Sequence, residues 1–218
     1  MSDGFGITAR YLDAEECDRL TETVSGIPHG RAGIRHLMSD PLVAELAKSD
    51  RLMRLAADWL GGTAIPFRAT LFEKSADANW LIPWHQDTAL PLANEFQSPG
   101  WGPWSEKGGV MYAHAPAWAL DRVIALRVHL DASDADNGPL RVIPGSHGAG
   151  VLTDAEISEY ALKGEVVECL TPRGGVVAMR PLVIHSSSKL RSEEPRRVLH
   201  IEYADSLDFG ERIQLAVC

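Results

Sequence analysis

His85 and Asp87 stand two positions apart in Trp84-His85-Gln86-Asp87, at the end of the apolar, extended run Asn79-Trp80-Leu81-Ile82-Pro83-Trp84. On a strand, residues i and i+2 share a face, so an imidazole nitrogen and a carboxylate oxygen can aim at one point. Two histidines and one carboxylate make the facial triad that leaves coordination positions open on non-haem Fe(II). His85 and Asp87 are two-thirds of such a set, and the third ligand must come from another strand. His185 is the preferred choice. It ends the apolar run Pro181-Leu182-Val183-Ile184 and precedes Ser186-Ser187-Ser188, small residues that leave room for a ligand. His147, after Pro144-Gly145-Ser146, is its rival.

The other histidines read differently. His29, His36 and His200 fit surface or core roles. His114 falls in an aromatic-rich stretch and can touch substrate. His129 alternates with Arg127 and can line a cavity with it. Arg196 lies eleven residues after His185, at the start of Arg196-Arg197-Val198-Leu199-His200-Ile201-Glu202-Tyr203. A hairpin between the two would return its guanidinium close to the metal strand. That fork of donors fits a carboxylate, as the far end of 2-oxoglutarate requires. Read singly, Arg196 is equally a solvated charge beside Arg191 and Arg197.

These residues need elements to mount them. Asp13 with Glu16 has capping-box spacing for a helix that Gly26 and Pro28 end. Asp40-Pro41 opens a second helix, and Asp50 caps a third that Gly61-Gly62 stops. Residues 27–38 read as loop, and residues 1–62 as a helical layer. From Ala64 the period changes: Ile65, Phe67, Ala69 and Leu71 alternate with Pro66, Arg68 and Thr70, the pattern of a half-buried strand. A metal strand over 81–88 follows. Strands are then expected at 123–130, 140–143, 166–170, 176–179, 182–184 and 198–203, with a helix at 154–162 capped by Asp154. Residues 91–120 hold four prolines, four glycines, and the aromatics Trp101, Trp104, Tyr112 and Trp118. A long insertion of that kind reads as a lid or substrate loop. Five of the six tryptophans lie between 80 and 118, which makes Tyr112, His114, Trp118 and His129 the substrate-contact candidates. Helices followed by many short strands predict an α+β chain with a β-barrel or sandwich.

Length and composition fit one domain over residues 1–218, with 45% hydrophobic and 23% charged residues. A net charge of −9 disfavours binding to nucleic acid or to an anionic membrane. Cys17, Cys169 and Cys218 are odd in number and far apart, so neither a disulfide framework nor a Cys-type zinc site is expected. The N-terminus has no basic region followed by an apolar one, and no apolar run approaches the ~20 residues of a membrane span. The expectation is a cytoplasmic protein that acts on a small molecule, its oligomeric state unread.

The chain resembles the phytanoyl-CoA dioxygenase family of Fe(II)/2-oxoglutarate oxygenases. Three stretches carry the likeness: Trp84-His85-Gln86-Asp87; the run from Asn137-Gly138-Pro139 through Pro144-Gly145-Ser146-His147; and His185-x-Ser187 with Arg196 at +11. It spans roughly residues 68 to 203 and implies a double-stranded β-helix, or jelly roll, with flanking helices. The resemblance also implies that His85, Asp87 and His185 bind iron and that Arg196 and Ser187 hold the 2-oxoglutarate carboxylate. Arg127 stands where family members often carry a tryptophan near the cosubstrate, and an arginine there can meet an anionic group. Ser188-Lys189-Leu190 also departs from the Gly-Pro-Asn common at that place. Asp87 favours a hydroxylase outcome, since related halogenases carry a small residue there. The expected reaction uses Fe(II), 2-oxoglutarate and O2 to oxidise a small molecule, with release of succinate and CO2. The alternative is a metal-dependent hydrolase or isomerase on a cupin-like barrel, using the same three ligands and a bound water.

Overall fold

Capping residues set where the helices begin. The computed structural model describes residues 2–27, 33–76, 78–210 and 212–218. In α1 (Ala14–Ser25) the Asp13 side chain accepts from the Glu16 N–H, and the Glu16 carboxylate accepts from the Asp13 N–H. In α2 (Pro41–Ala47) the Asp40 carboxylate accepts from the N–H groups of Leu42 and Val43. α3 (Asp50–Leu60) differs from expectation: Ser49 is its N-cap and Asp50 its first helical residue, where the carboxylate still meets the positive end of the helix. Gly61, at φ 79°, ends it. Of the expected loop at 27–38, residues 28–32 and with them His29 lie outside the described residues. The remainder is anchored by a bridge between Ile34 and Leu71 and by a single 3-10 turn at Leu37–Ser39. α4 (Ala117–Leu120) is one turn long, and α5 (Asp154–Lys163) takes Thr153 as N-cap in a capping box with Glu156. Among the described residues no helix is long and apolar enough to cross a membrane.

The strands are β1 (Phe5–Thr8), β2 (Ile65–Lys74), β3 (Ile82–His85), β4 (Ala89–Leu92), β5 (Trp104–Lys107), β6 (Val110–His114), β7 (Val123–His129), β8 (Leu140–Val142), β9 (Val167–Glu168), β10 (Val176–Met179), β11 (His185–Ser187) and β12 (Arg196–Ala204). A five-stranded sheet runs β1-β10-β7-β12-β2 and a four-stranded sheet β3-β11-β8-β9. Every pairing is antiparallel. This is the double-stranded β-helix with flanking helices. Side chains on β7 show how it is filled. Ile124, Leu126 and Val128 join Leu46, Leu52 and Trp59 of the helical layer. Ala125 joins Val177, Met179, Leu140 and Val142 between the sheets. Arg127 and His129 follow Ala125 on that inner face at a period of two. Each fully buried Leu or Ile contributes about 1.5–3 kcal/mol, so the helix side holds the large sheet while polar residues face inward.

Several expectations change here. β2 is not half-buried: Phe67, Ala69, Thr70 and Leu71 are all buried. Helices cover one of its faces and the barrel interior lies behind the other, so apolar alternation does not become exposure alternation. Residues 91–120 are not one long loop, although 93–103 lie outside any strand or helix. β5 and β6 form a hairpin around Gly108-Gly109, both at positive φ, and β4 pairs with β6 to complete a third sheet. The strand expected at 182–184 begins at His185 instead.

Candidate metal centre

His85 closes β3 and His185 opens β11. The two are direct cross-strand partners, so their side chains project to one face with ring centroids 4.1 Å apart. Asp87 lies beyond the end of β3, so strand periodicity does not place it. Its N–H donates to the Pro181 carbonyl at 2.9 Å, which turns the loop back toward β11. The carboxylate then stands 3.7 Å from His85 Nε2 and 3.6 Å from His185 Nε2. One ligand atom from each residue falls within a 4.8 Å cluster.

Each imidazole is aimed by a backbone carbonyl. His85 Nδ1 meets the Pro83 carbonyl and His185 Nδ1 meets the Val183 carbonyl, both at 2.9 Å. A carbonyl only accepts, so each Nδ1 carries the proton and each Nε2 presents its lone pair. Burial is the main force pushing the His185 pKa down to about 3, and His85 adds to it. Burial opposes ionisation of Asp87, but His185, His85, His200 and Arg68 outweigh it and hold the carboxyl well below the usual range. Near neutral pH His185 is a neutral imidazole and Asp87 a carboxylate, the donor state a divalent transition metal needs. His147, the rival ligand, sits in the 3-10 turn Ser146–Ala149 against Gly4. It is not part of the cluster.

A cleft of about 500 Å³ holds the three ligands together with Arg127, Arg196, Ser187 and Lys74. Arg196 is 2% exposed. Its Nε donates to the Asn137 carbonyl and its Nη2 to Ser187 Oγ, each at 3.2 Å. Ser187 in turn donates to the Gly138 carbonyl at 2.8 Å. Arg196 Nη1 is buried without a partner. Burial first and Arg127 second bring the Arg196 pKa down to about 9, which leaves it cationic at neutral pH. Lys74 was not anticipated. It is the cross-strand neighbour of Arg196, is 2% exposed, and donates to the Ser188 carbonyl. Burial, then Arg196, Arg141 and Arg127, lower its pKa to about 7. Extending the β2 alternation from Arg68 through Thr70 and Phe72 would have placed Lys74 on the inner face.

Arg127 is buried, donates to His200 Nδ1 at 3.1 Å, and lies 5.5 Å over the Phe72 ring. His200 Nε2 is 4.0 Å from a Glu202 oxygen, and the other Glu202 oxygen pairs with Arg68. The chain Arg127–His200–Glu202–Arg68 thus crosses the barrel floor beneath Asp87. Glu202 was missed as a member of the interior and His200 was left between surface and core; the signal is their spacing of two along β12 from Val198.

Arg68 opens into a second cleft of about 700 Å³, which shares Phe72 and Asp87 with the first and adds Arg35, Lys107, Tyr112 and His114. The Tyr112 hydroxyl is 3.1 Å from His36 Nε2, and His114 Nδ1 is 2.6 Å from Thr88 Oγ1. Two candidates fall elsewhere. Trp118 is 47% exposed and packs edge-on and tilted against Trp101 and Phe209, outside both clefts, because α4 carries it onto the third sheet's cluster. His129 faces inward but is fully buried, lines neither cleft, and has no partner on either nitrogen.

Comparison with known proteins bears on the family and the fold. The sequence model of the phytanoyl-CoA dioxygenase family matches residues 1–198. An L-proline trans-4-hydroxylase from Streptomyces griseoviridis is 30% identical over 92% of this chain and 82% of its own length. Among solved structures, AviO1 from Streptomyces viridochromogenes superposes with a TM-score of 0.66 at 24% identity, covering 94% of this chain and 90% of AviO1. EctD from S. alaskensis gives 0.71 at 19% identity, covering 99% and 80%. HygX from Streptomyces hygroscopicus, solved with nickel and 2-oxoglutarate, gives 0.68 at 15% identity, covering 94% and 84%.

Proposed function

The chain belongs to the phytanoyl-CoA dioxygenase family, and on that premise we propose that it oxidises a small molecule held beside Asp87, with succinate and CO2 as co-products. It is an Fe(II)- and 2-oxoglutarate-dependent oxygenase of the hydroxylase type. Iron, 2-oxoglutarate and O2 together supply the oxidising power, with decarboxylation of the keto acid as the coupled half of the reaction. Residues 1–218 act as one dioxygenase domain.

His85, Asp87 and His185 would hold the metal, which would supply the redox chemistry toward 2-oxoglutarate and O2. Arg196 receives the far carboxylate on its free Nη1, while Ser187 steadies Nη2 beside it. Arg127, fixed by His200 and Phe72, adds positive charge along the same wall. Lys74 adds more at the far end. Phe72, Trp80, Ile82 and Leu140 line the cleft and exclude water, which strengthens each of these interactions. The substrate enters through the second cleft, where Tyr112 and His114 contact it. The relative is named for hydroxylating L-proline, and a substrate of comparable size suits this cleft. Neither Trp118 nor His129 has a part in binding it.

The carrying observation is the gathering of three ligand atoms within 4.8 Å beside a buried guanidinium with an unused donor. A zinc hydrolase would leave Arg196 without a task. Fe(II) and 2-oxoglutarate added without oxygen should produce a weak visible charge-transfer band, absent in His85→Ala and weakened in Arg196→Ala. A protein that gives no band yet binds zinc tightly and hydrolyses substrates would sink the oxygenase proposal.

A further inference from the structure

The molecule carries a net charge of −9, yet the second cleft is lined by cations. Arg35, Arg68 and Lys107 face it, and its single carboxylate is the metal ligand Asp87. Arg68 is accounted for, since it pairs with Glu202 and donates to the Ala89 carbonyl. Arg35 and Lys107 are not: among the described residues neither has a carboxylate within ion-pair distance. Lys107 instead lies 5.0 Å over the Tyr112 ring. Two other polar residues that line the cleft are uncharged and hydrogen-bonded. Gln86 spends its amide on Gly150, Leu182 and Leu152, and Thr88 is joined to His114.

We propose that this cleft selects substrates bearing a carboxylate or comparable anionic group, seated between Lys107 and Arg35 with the carbon to be oxidised turned toward Asp87. This rests on the oxygenase reading and on the second cleft as the substrate's entry. The charge contrast is the physical ground. A cleft lined mainly by one sign of charge concentrates the opposite charge even when the whole molecule repels it. Placement on two sides also matters. Lys107 comes from the β5–β6 hairpin and Arg35 from the segment before α2, so an anion between them would join two elements. Lys107, Arg35 and the metal ligand Asp87 line the same cleft, so an anionic group held by the two cations and the carbon to be oxidised share that cleft.

The test uses the Fe(II)- and 2-oxoglutarate-loaded protein and a library of small acids, each paired with its primary amide. Succinate formation above the substrate-free rate is the readout. Acids should stimulate it and their amides should not. Lys107→Met and Arg35→Gln should each raise the KM for a responding acid roughly tenfold, the loss of one charge-assisted contact, with a smaller change in kcat. Both variants should keep the anaerobic visible band. Amides that work as well as their acids overturn the inference, as do variants whose KM for the acid is unchanged, or a library in which only neutral or cationic compounds respond. Those outcomes with an intact band leave the oxygenase assignment standing. A missing band in the unmodified protein removes both.

Discussion

At the scale of single residues, the site depends on where protons and donors sit. Arg196 Nη1 is the unused donor in a buried fork. Arg196→Ala should weaken 2-oxoglutarate binding roughly 10–100-fold, the worth of a charged hydrogen bond in a buried place, read by titrating the visible band. Arg196→Lys should recover little, because an ammonium cannot keep the Asn137 and Ser187 contacts of Nε and Nη2 while also donating to the cosubstrate. Lys74 gives a pH signature. Its pKa is about 7 in the fold against 10.5 ordinarily. Between those values the unfolded chain binds more protons, so stability of the ligand-free protein rises with pH through that window. A dianion beside Lys74 raises its pKa again, so binding near pH 8 should take up a proton. Calorimetry in two buffers of different ionisation enthalpy would show this, and equal heats in both would refute it. Lys74→Met should remove the uptake. His185 works in the acid range. With its pKa near 3 in the fold against 6.5 ordinarily, the metal-free protein should lose stability as pH falls from 6.5 toward 3.

At the scale of elements, the Asp134–Gly138 turn supports the cosubstrate cleft. Asp134 Oδ1 accepts from the N–H groups of Asp136 and Asn137, and Asn137 Oδ1 accepts from the Asp134 N–H. Gly138 has φ 69°, and a Cβ there would lie 2.4 Å from the Ser188 carbonyl and 3.3 Å from Lys74 Nζ. Gly138→Ala should therefore cost about 1–3 kcal/mol in stability from the left-handed backbone alone. It should also weaken 2-oxoglutarate binding, because Ser188, Lys74 and the Gly138–Ser187 hydrogen bond must shift together. Thermal melts and band titration would separate the two effects, and a variant with unaltered 2-oxoglutarate affinity would show that the turn does not set the cleft. Helix starts were legible because a cap is a local hydrogen bond: Asp13, Asp40 and their partners lie within three residues. The caps expected at Asp50 and Asp154 lie one residue earlier, at Ser49 and Thr153, since an acidic residue suits the first turn as well as the cap. β1 went unseen because a four-residue strand acquires its pairing only from β10.

At the scale of the molecule, ligands bind the folded state alone. Fe(II) with 2-oxoglutarate at a hundred times its Kd should add about 2.7 kcal/mol. For a chain of this length that corresponds to a Tm rise of about 5–10 °C. A chelator should reverse it, and a melt indifferent to both would count against binding at the barrel mouth. The helical layer has the opposite character: Leu46, Leu52 and Trp59 pack on the large sheet away from the clefts. Core substitutions there should lower Tm without changing 2-oxoglutarate affinity.

The order of residues along the chain determined the fold class, the helix starts to within a residue, and the candidacy of His85, Asp87, His185 and Arg196. Each is carried by spacing, period or composition within a short segment. Which of His147 and His185 meets Asp87, that Lys74 and Arg196 stand side by side, and that Trp118 turns away were decided only by the tertiary structure. Register between distant strands sets those distances, and register depends on how two sheets and a helical layer pack as a whole.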